Sequence, residues 1–289
     1  MALGMVVLNY NDYKTTIKFL EMIKKYKGIS KVIVVDNNST DESVERLKRY
    51  IDNRVVLLEA KENKGYGAGN NIGIKYLREV EKIKYICISN PDIEFENNDL
   101  IKLVEFLEKN NSISMVSGRI IENGKKAKDG AWKIPGYTKC LLQTIPLLDK
   151  KIDKSLSYPE TYYTGEYSLV EAVKGCFFVV DSDDMKSVND FDENTFLYYE
   201  ENILGYKMKN NNLNIAVLND VNIIHAHGAT INKALNKIEK FKILNKSRCI
   251  YLNEYIRIGK VKIVFYKFIQ AIGINLRKVL YYIQDLIRK

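Results

Sequence analysis

The run Ile86-Cys87-Ile88-Ser89-Asn90-Pro91-Asp92 sets a carboxylate just past a proline at the end of an apolar, β-branched stretch. Proline has no N–H to give to a ladder, so a strand stops there and leaves Asp92 at its carboxyl end. That edge is where open α/β sheets bind ligands. Asp36 follows the apolar run Val32 to Val35 in the same way, where a carboxylate can accept from a base or a ribose. Farther on, Glu200 and Glu201 stand side by side at the start of a short helical pattern. A carboxylate within hydrogen-bond reach of a hydroxyl is a general base, but two acids in a first turn also simply favour the positive end of a helix. His225 and His227, the chain's two histidines, close the last apolar run, and on its own residues His225 reads as structural.

The elements that must position these groups alternate. Strand-like runs are Leu3 to Leu8, Val32 to Val35, Val55 to Leu58, Tyr85 to Ser89, Ile113 to Val116, Val173 to Val180 and Asn214 to Leu218. Between them come helical periods over Thr15 to Lys27, closed by Gly28, then after a capping-box pattern at Ser39-Thr40-Asp41-Glu42, over Ile72 to Lys82, over Asp99 to Lys109, and through Leu204 and Met208. Such alternation predicts a right-handed, helix-flanked, mostly parallel sheet. In Asn63-Lys64-Gly65-Tyr66-Gly67-Ala68-Gly69-Asn70-Asn71-Ile72-Gly73, glycines ahead of a helix let backbone approach a ligand. No GxGxxG follows the first strand and no GxxxxGK[ST] occurs, so neither a dinucleotide fold nor a P-loop is supported. Gly175 in a strand marks a close approach. Ser117 to Leu169, with the only tryptophan, Trp132, lacks periodicity and reads as a loop-rich wall of the site.

The chain has 289 residues and a formal charge of +9, unevenly spread. From Ile231 to Lys289 there are fourteen Lys and Arg against three Asp and Glu, a charge of +11 that leaves −2 for the rest. The basicity therefore belongs to an appendage, and a catalytic domain wrapped on nucleic acid is excluded. Cys87, Cys140, Cys176 and Cys249 form no CxxC pair and read as reduced, mostly buried thiols of a cytosolic protein. No signal peptide is expected, and no segment reaches the roughly 18 to 20 apolar residues of a spanning helix.

Taken together, the ordered runs resemble the family-two glycosyltransferases of the GT-A fold, especially the rhamnosyltransferase-like branch. The resemblance is carried by Leu8-Asn9-Tyr10-Asn11, Val35-Asp36 through Asp41, Asn63-Lys64-Gly65 through Gly73, Asn90-Pro91-Asp92, Gly175, Phe191-Asp192-Glu193, Tyr199-Glu200-Glu201, and His225 with Gly228 and Thr230. It spans roughly residues 3 to 230. It implies an α/β GT-A catalytic domain over 1–230, with a nucleotide-sugar-binding half at 1–116 and an acceptor-binding half at 117–230, followed by a basic amphipathic helical tail at 231–289. It implies an inverting, metal-dependent hexosyltransferase that moves a sugar, L-rhamnose from dTDP-rhamnose foremost, onto a cell-surface polysaccharide or lipid-linked glycan precursor. Asp92 would hold Mg²⁺ or Mn²⁺ on the donor's diphosphate, with His225 close by. Asn90 would face the nucleotide and Asp36 the base, with Asn9 and Asn63 near the nucleoside and Asn11, Gly65, Asn71 and Gly175 lining the substrates. Trp132 would contact the acceptor. Glu201 would be the base, with Glu200 its competitor. Where the family commonly carries a further acid and a basic residue, this chain has Ile203 and Lys207.

Other readings stay on the table. A UDP-hexose or galactofuranose transferase shares the fold. A nucleotidyltransferase would want a basic, glycine-rich first loop, which Asn9-Tyr10-Asn11-Asp12 is not. A non-catalytic scaffold would be expected to have lost Asp92, Glu201 or His225. In the tail, Val261, Phe265, Phe268, Ile272, Leu276, Val279, Ile283 and Leu286 recur at helical spacing among Lys262, Lys267, Arg277, Lys278 and Arg288. That pattern fits a hairpin packed on the core, a homodimer contact, or an interfacial helix pair on anionic lipid at the inner face of the plasma membrane.

Overall fold

A computed structural model describes residues 2–226 and 236–287. Expectations for His227, Gly228, Thr230, Arg288 and the start of the tail at 231 fall outside the described residues. The strands are β1 (Leu3–Asn9), β2 (Ile29–Asp36), β3 (Val55–Glu59), β4 (Tyr85–Ser89), β5 (Ile93–Glu94), β6 (Ile113–Glu122), β7 (Lys125–Lys126), β8 (Ala131–Trp132), β9 (Tyr167–Val170), β10 (Ala172–Val173), β11 (Phe177–Asp181) and β12 (Asn214–His225). One sheet runs β3-β2-β1-β4-β11-β6-β12-β5. Its first four strands are parallel, β11 enters antiparallel to both β4 and β6, and β12 is parallel to β6.

The helices are α1 (Tyr13–Ile23), α2 (Ser43–Leu47), α3 (Tyr66–Glu79), α4 (Asn97–Lys109), α5 (Tyr137–Leu142), α6 (Leu148–Leu156), α7 (Ser182–Ser187), α8 (Glu200–Asn210), α9 (Lys237–Ile250) and α10 (Lys260–Ile287). Strand side chains alternate faces, so neighbours in β1 serve different cores. Met5 and Val7 pack with Phe19, Leu103 and Phe106, while Val6 packs with Ile74, Leu77 and Leu204. The continuous apolar runs follow from this double burial. A third cluster lies off the sheet, where Cys140, Tyr199 and Ile203 meet Tyr251, Leu252 and Tyr266. Through it the two C-terminal helices sit on α5 and α8.

Three local expectations are corrected. The third helix begins at Tyr66 rather than near Ile72, so Gly67, Gly69 and Gly73 lie inside it. Their absence of a side chain brings the helix onto the sheet: a Cβ on Gly69 would stand 2.5 Å from Leu8 Cδ1, and one on Gly73 would stand 2.6 Å from Val6 Cγ1. The capping box at Ser39 does not form. Ser39 Oγ instead accepts from Asn9 Nδ2 and from the Asn11 amide, and α2 starts later, with Asp41 Oδ1 accepting from the Ser43 amide. Last, Val173 to Val180 is not one strand, because the chain leaves the ladder at Lys174-Gly175-Cys176 between β10 and β11.

Val6 and Val35 are stiff at χ1 and cannot swing aside, so Gly73→Ala should destabilise the protein by roughly 1–3 kcal/mol through overpacking. Alanine's better helix propensity, about 1 kcal/mol, offsets only part of this. Urea unfolding midpoints of the two proteins measure the difference, and a midpoint shifted upward would show that α3 has room above β1.

Candidate active site

The end of β4 is tied to the segment that precedes β11. The Asn90 amide donates to the Cys176 carbonyl at 2.8 Å, and the Tyr66 hydroxyl lies 2.7 Å from the Gly175 carbonyl oxygen and 3.0 Å from Asn90 Oδ1. Asp92 occupies the turn into β5. There β12 pairs with β5, setting His225 beside Ile93, and the Ala226 amide donates to the Asp92 carbonyl at 3.0 Å. His225 Nε2 consequently lies 3.4 Å from Asp92 Oδ2, while its Nδ1 lies 3.0 Å from Glu122 Oε1. Lys174 Nζ donates to the same Glu122 oxygen at 2.6 Å and to Asp129 Oδ2 at 3.0 Å. Burial works against a charged imidazole, but the carboxylates of Asp92 and Glu122 outweigh it and raise the His225 pKa.

Among the described residues no three His, Cys, Asp or Glu side chains are grouped to hold a cation alone. A phosphate-bound Mg²⁺ or Mn²⁺ needs only one or two protein ligands. The Asp92 and His225 pair fits that kind of ion, with one carboxylate and one imidazole converging and Glu122 orienting the ring from behind.

The residues expected near the nucleotide are placed unequally. Asp36 is 1% exposed, with Oδ1 accepting from Asn9 Nδ2 at 2.8 Å and Oδ2 from the Ser39 amide at 2.8 Å. Asp36 with Asn9 forms a buried pin that holds the loop after β2. Asn11 is braced against Thr40, whose amide donates to Asn11 Oδ1 at 2.8 Å. Asn63 Oδ1 accepts from Asn37 Nδ2 and from the Gly65 amide, both at 3.0 Å. Gly65 sits at φ +103°, and a Cβ there would lie 2.0 Å from the Phe196 carbonyl oxygen. What demands glycine is thus the protein's own backbone rather than a ligand. Asn71 is 2% exposed, and its amide group clamps Phe191 by donating to the carbonyl and accepting from the N–H, each at 3.0 Å.

The acid pair opens α8. It is delivered by two consecutive tyrosines in left-handed backbone, Tyr198 at φ +65° and Tyr199 at φ +73°. Such conformations cost on the order of 1–3 kcal/mol each and persist only where packing enforces them; here Tyr199 is buried in the third cluster with its hydroxyl 3.3 Å from Cys140 Sγ. The two carboxylates then differ. Glu200 is 5% exposed and its Oε2 has no hydrogen-bond partner, so burial and then the neighbouring Glu201 push its pKa well above the carboxylate range. Glu201 is raised by burial too, but it accepts from the Gly175 amide at 3.3 Å and feels Lys174, which pull it back. It also lines a cavity of about 310 Å³ together with Trp132, Asp129, Tyr198, Asn202 and Arg248. The Trp132 indole N–H donates to Asn202 Oδ1 at 3.0 Å, which fixes the ring in that wall.

A description of glycosyl transferase family 2 matches residues 5–172. The chain belongs to this family. The matched span holds Asp36 and Asp92 but stops before the acid pair and His225. A low-salt glycan biosynthesis hexosyltransferase, Agl10 of Haloferax volcanii, is 24% identical over 226 residues, covering 77% of this chain and 66% of its own length. The rhamnosyltransferase WbbL of Escherichia coli K12 is 27% identical over 142 residues, covering 47% of this chain and 51% of its own. The chain thus spans between half and two thirds of these relatives. Among solved structures, GalNAc-T7 with UDP, GalNAc and Mn²⁺ matches with TM-score 0.63 at 14% identity over 89% of this chain and 49% of that one. A mannosyltransferase of Pyrobaculum calidifontis with GDP-Man and Mn²⁺ matches with TM-score 0.56 at 13% identity, over 96% and 86%. These likenesses establish the GT-A fold.

For a member of family 2, several site residues were invisible in the sequence. Glu122 ends a strand that reads as stopping at Val116, and Lys174 sits in a run that reads as uninterrupted β. Tyr66 is hidden among glycines. Ile203 and Lys207, which depart from the family's usual residues, serve packing: Ile203 is buried in the third cluster, and Lys207 Nζ donates to the Asp190 carbonyl.

A folded-state pKa above the unfolded value means that Glu200 favours folding below about pH 4.5, and that this contribution is lost as pH rises through the elevated folded value. Glu200→Gln removes the titratable group, and with it the cost that burial imposes once the unfolded carboxyl can ionise. The variant should therefore melt above the wild type at pH 8, with the gap closing toward pH 4.5, as paired melting curves across that range would record. A variant less stable at every pH would mean that the Glu200 carboxylate is paired in solution.

Proposed function

We propose that the chain transfers a sugar from a nucleotide diphosphate donor to a hydroxyl of a glycan acceptor, with inversion at the anomeric carbon. The observation that carries this reading is the meeting of two dissimilar groups around Gly175. On one side stands the strand-end Asp92 with His225, suited to a diphosphate and its cation, and on the other the half-buried Glu201, suited to a proton.

In a single displacement the acceptor oxygen forms a bond to the anomeric carbon while the bond from that carbon to the donor's phosphate oxygen breaks. The electron pair leaves with the diphosphate, and the acceptor's proton passes to Glu201. Burial makes Glu201 a stronger base than a surface carboxylate, and the Gly175 amide fixes the oxygen that accepts. Glu200, raised further by its deeper burial and by Glu201, is the harder of the two to ionise, which disfavours a second negative charge in the pocket. Trp132 and Asn202 form the acceptor's wall. Mg²⁺ or Mn²⁺ held by Asp92 and His225 would offset the charge gathering on the leaving diphosphate.

The finer reading is L-rhamnose from dTDP-rhamnose, moved onto a polysaccharide or lipid-linked precursor at the cytoplasmic membrane face. Similarity to a rhamnosyltransferase supports that donor, and similarity to a hexosyltransferase supports the alternative of a UDP-hexose. Residues 1–116 would then bind the donor, and 117–230 the acceptor.

Calorimetry with dTDP-rhamnose and UDP-hexoses, with and without Mn²⁺, should find one donor bound tightly only with the metal. Glu201→Gln should slow single-turnover transfer by roughly 10² to 10⁴ with donor binding near normal, whereas Asp92→Asn should lose turnover together with the metal's effect on binding. If Glu200→Gln collapses transfer and Glu201→Gln does not, the base is the neighbour. If no sugar nucleotide binds at all, the reading fails.

A further inference from the structure

The long α10 is apolar on the side that faces away from the protein. Val261 is 84% exposed, and Phe265, Phe268, Ile272, Val279 and Ile283 continue the stripe at 42% to 61%. Over its 28 residues the helix runs about 42 Å. The opposite face is anchored. Tyr266 is fully buried and its hydroxyl donates to Asn245 Oδ1 at 3.1 Å, Gly273 lies so near the Thr144 carbonyl that a Cβ would stand 2.1 Å from that oxygen, and Arg277 Nη2 donates to Asp149 Oδ2 at 2.8 Å. The helix therefore cannot roll its apolar side inward. A contiguous exposed apolar face of this length marks a contact surface, and no described helix is long and apolar enough to cross a bilayer.

We infer that α10 lies in the surface of an anionic bilayer and that the acceptor reaches the site from that surface. The choice of occupant rests on charge. Lys260, Lys262, Lys267 and Lys278 are exposed along the stripe, and Asp285 is the helix's only acid. A second copy docked on this face would bring two such lysine sets together, and like charges across an interface are costly. Acidic headgroups match them, with the apolar side chains entering the acyl boundary. The acceptor's route follows from the neighbouring cavity. Leu244 and Arg248 of α9 line it, and Gln143, also in its lining, is next to the Thr144 against which α10 is clamped. The cavity whose Trp132 and Asn202 wall is assigned to the acceptor thus has its remaining wall, at Gln143, Leu244 and Arg248, on the side of the C-terminal helices, where a sugar carried on a lipid would enter.

Vesicle binding needs no sugar donor, so it can fail without touching the transferase reading on which the lipid-borne acceptor rests. The full chain is floated with vesicles of phosphatidylcholine alone and of equimolar phosphatidylcholine and phosphatidylglycerol. Binding to the anionic vesicles should be on the order of a hundredfold tighter than to the neutral ones and should weaken with salt, since each basic residue near such a surface contributes about fivefold. Phe265→Ser combined with Phe268→Ser should reduce that binding at least about tenfold while leaving the melting temperature unchanged, both rings being exposed. The inference is overturned if the full chain stays behind when anionic vesicles float at low salt, or if the double variant floats as well as the parent. It is overturned equally by light scattering that finds a dimer which the double variant dissolves.

Discussion

The Tyr66 hydroxyl is the contact on which the geometry of the edge depends. It stands between Asn90 Oδ1 and the Gly175 carbonyl oxygen and so joins three separate pieces of chain: the first turn of α3, the exit of β4 and the approach to β11. Two residues past Asn90 comes Asp92, the Gly175 amide donates to Glu201, and α3 follows directly on Gly65, whose amide donates to Asn63. Burial raises the phenol's pKa well above its ordinary value, so it stays a neutral donor rather than adding another negative charge among these carboxylates. The tie is available only because α3 starts at Tyr66, and the helix can start there only because Gly69 and Gly73 let it sit directly on Leu8 and Val6. A packing requirement within α3 thus sets the spacing of polar groups at the sheet edge.

What could be read from the chain follows the range of the forces involved. The strand ending at Ser89 was legible because an apolar run and a proline are local facts, and Asp92 sits at the sheet edge as the proline requires. The acid pair at a helix start was legible for the same reason. The start of α3 is hidden because glycines read as loop, whereas in the fold Leu8 of β1 lies 2.5 Å from where a side chain on Gly69 would be. Ser39 was misjudged because two asparagines distant in sequence compete for its oxygen. Glu122 and Lys174 had no signal at all, since an ion pair formed across a sheet edge leaves no periodicity behind. Sequence reasoning could put Glu200 and Glu201 together but could not separate them. The difference lies in one amide, that of Gly175, and in a pair of left-handed tyrosines that aim the side chains.

Residues from distant parts of the chain converge because β11 is reversed. Parallel strands deliver to the binding edge the residues that follow them, as β1, β2 and β4 do with Asn9, Asp36 and Asn90. An antiparallel strand delivers to that same edge the residues that precede it, and for β11 those are Lys174, Gly175 and Cys176. One inversion in the middle of the sheet thereby brings Asn90 and the segment Lys174 to Cys176, far apart in the chain, within a hydrogen bond of each other.

The same reversal has a consequence during synthesis. On the ribosome β4 is complete long before its partner on the far side exists, because the segment out to Phe177 must first be made, including β6, which takes its place beyond β11. At about 5–20 residues per second the apolar edge of β4 waits for seconds to tens of seconds with its N–H and C=O groups unpaired. Ile86, Cys87 and Ile88 have no exposure in the finished protein, and in that interval they lack the cover that Phe177 to Val180 later provide. The strand that carries the site is also the one that most needs shelter, from a chaperone or from transient pairing with β6, before the chain can close over it.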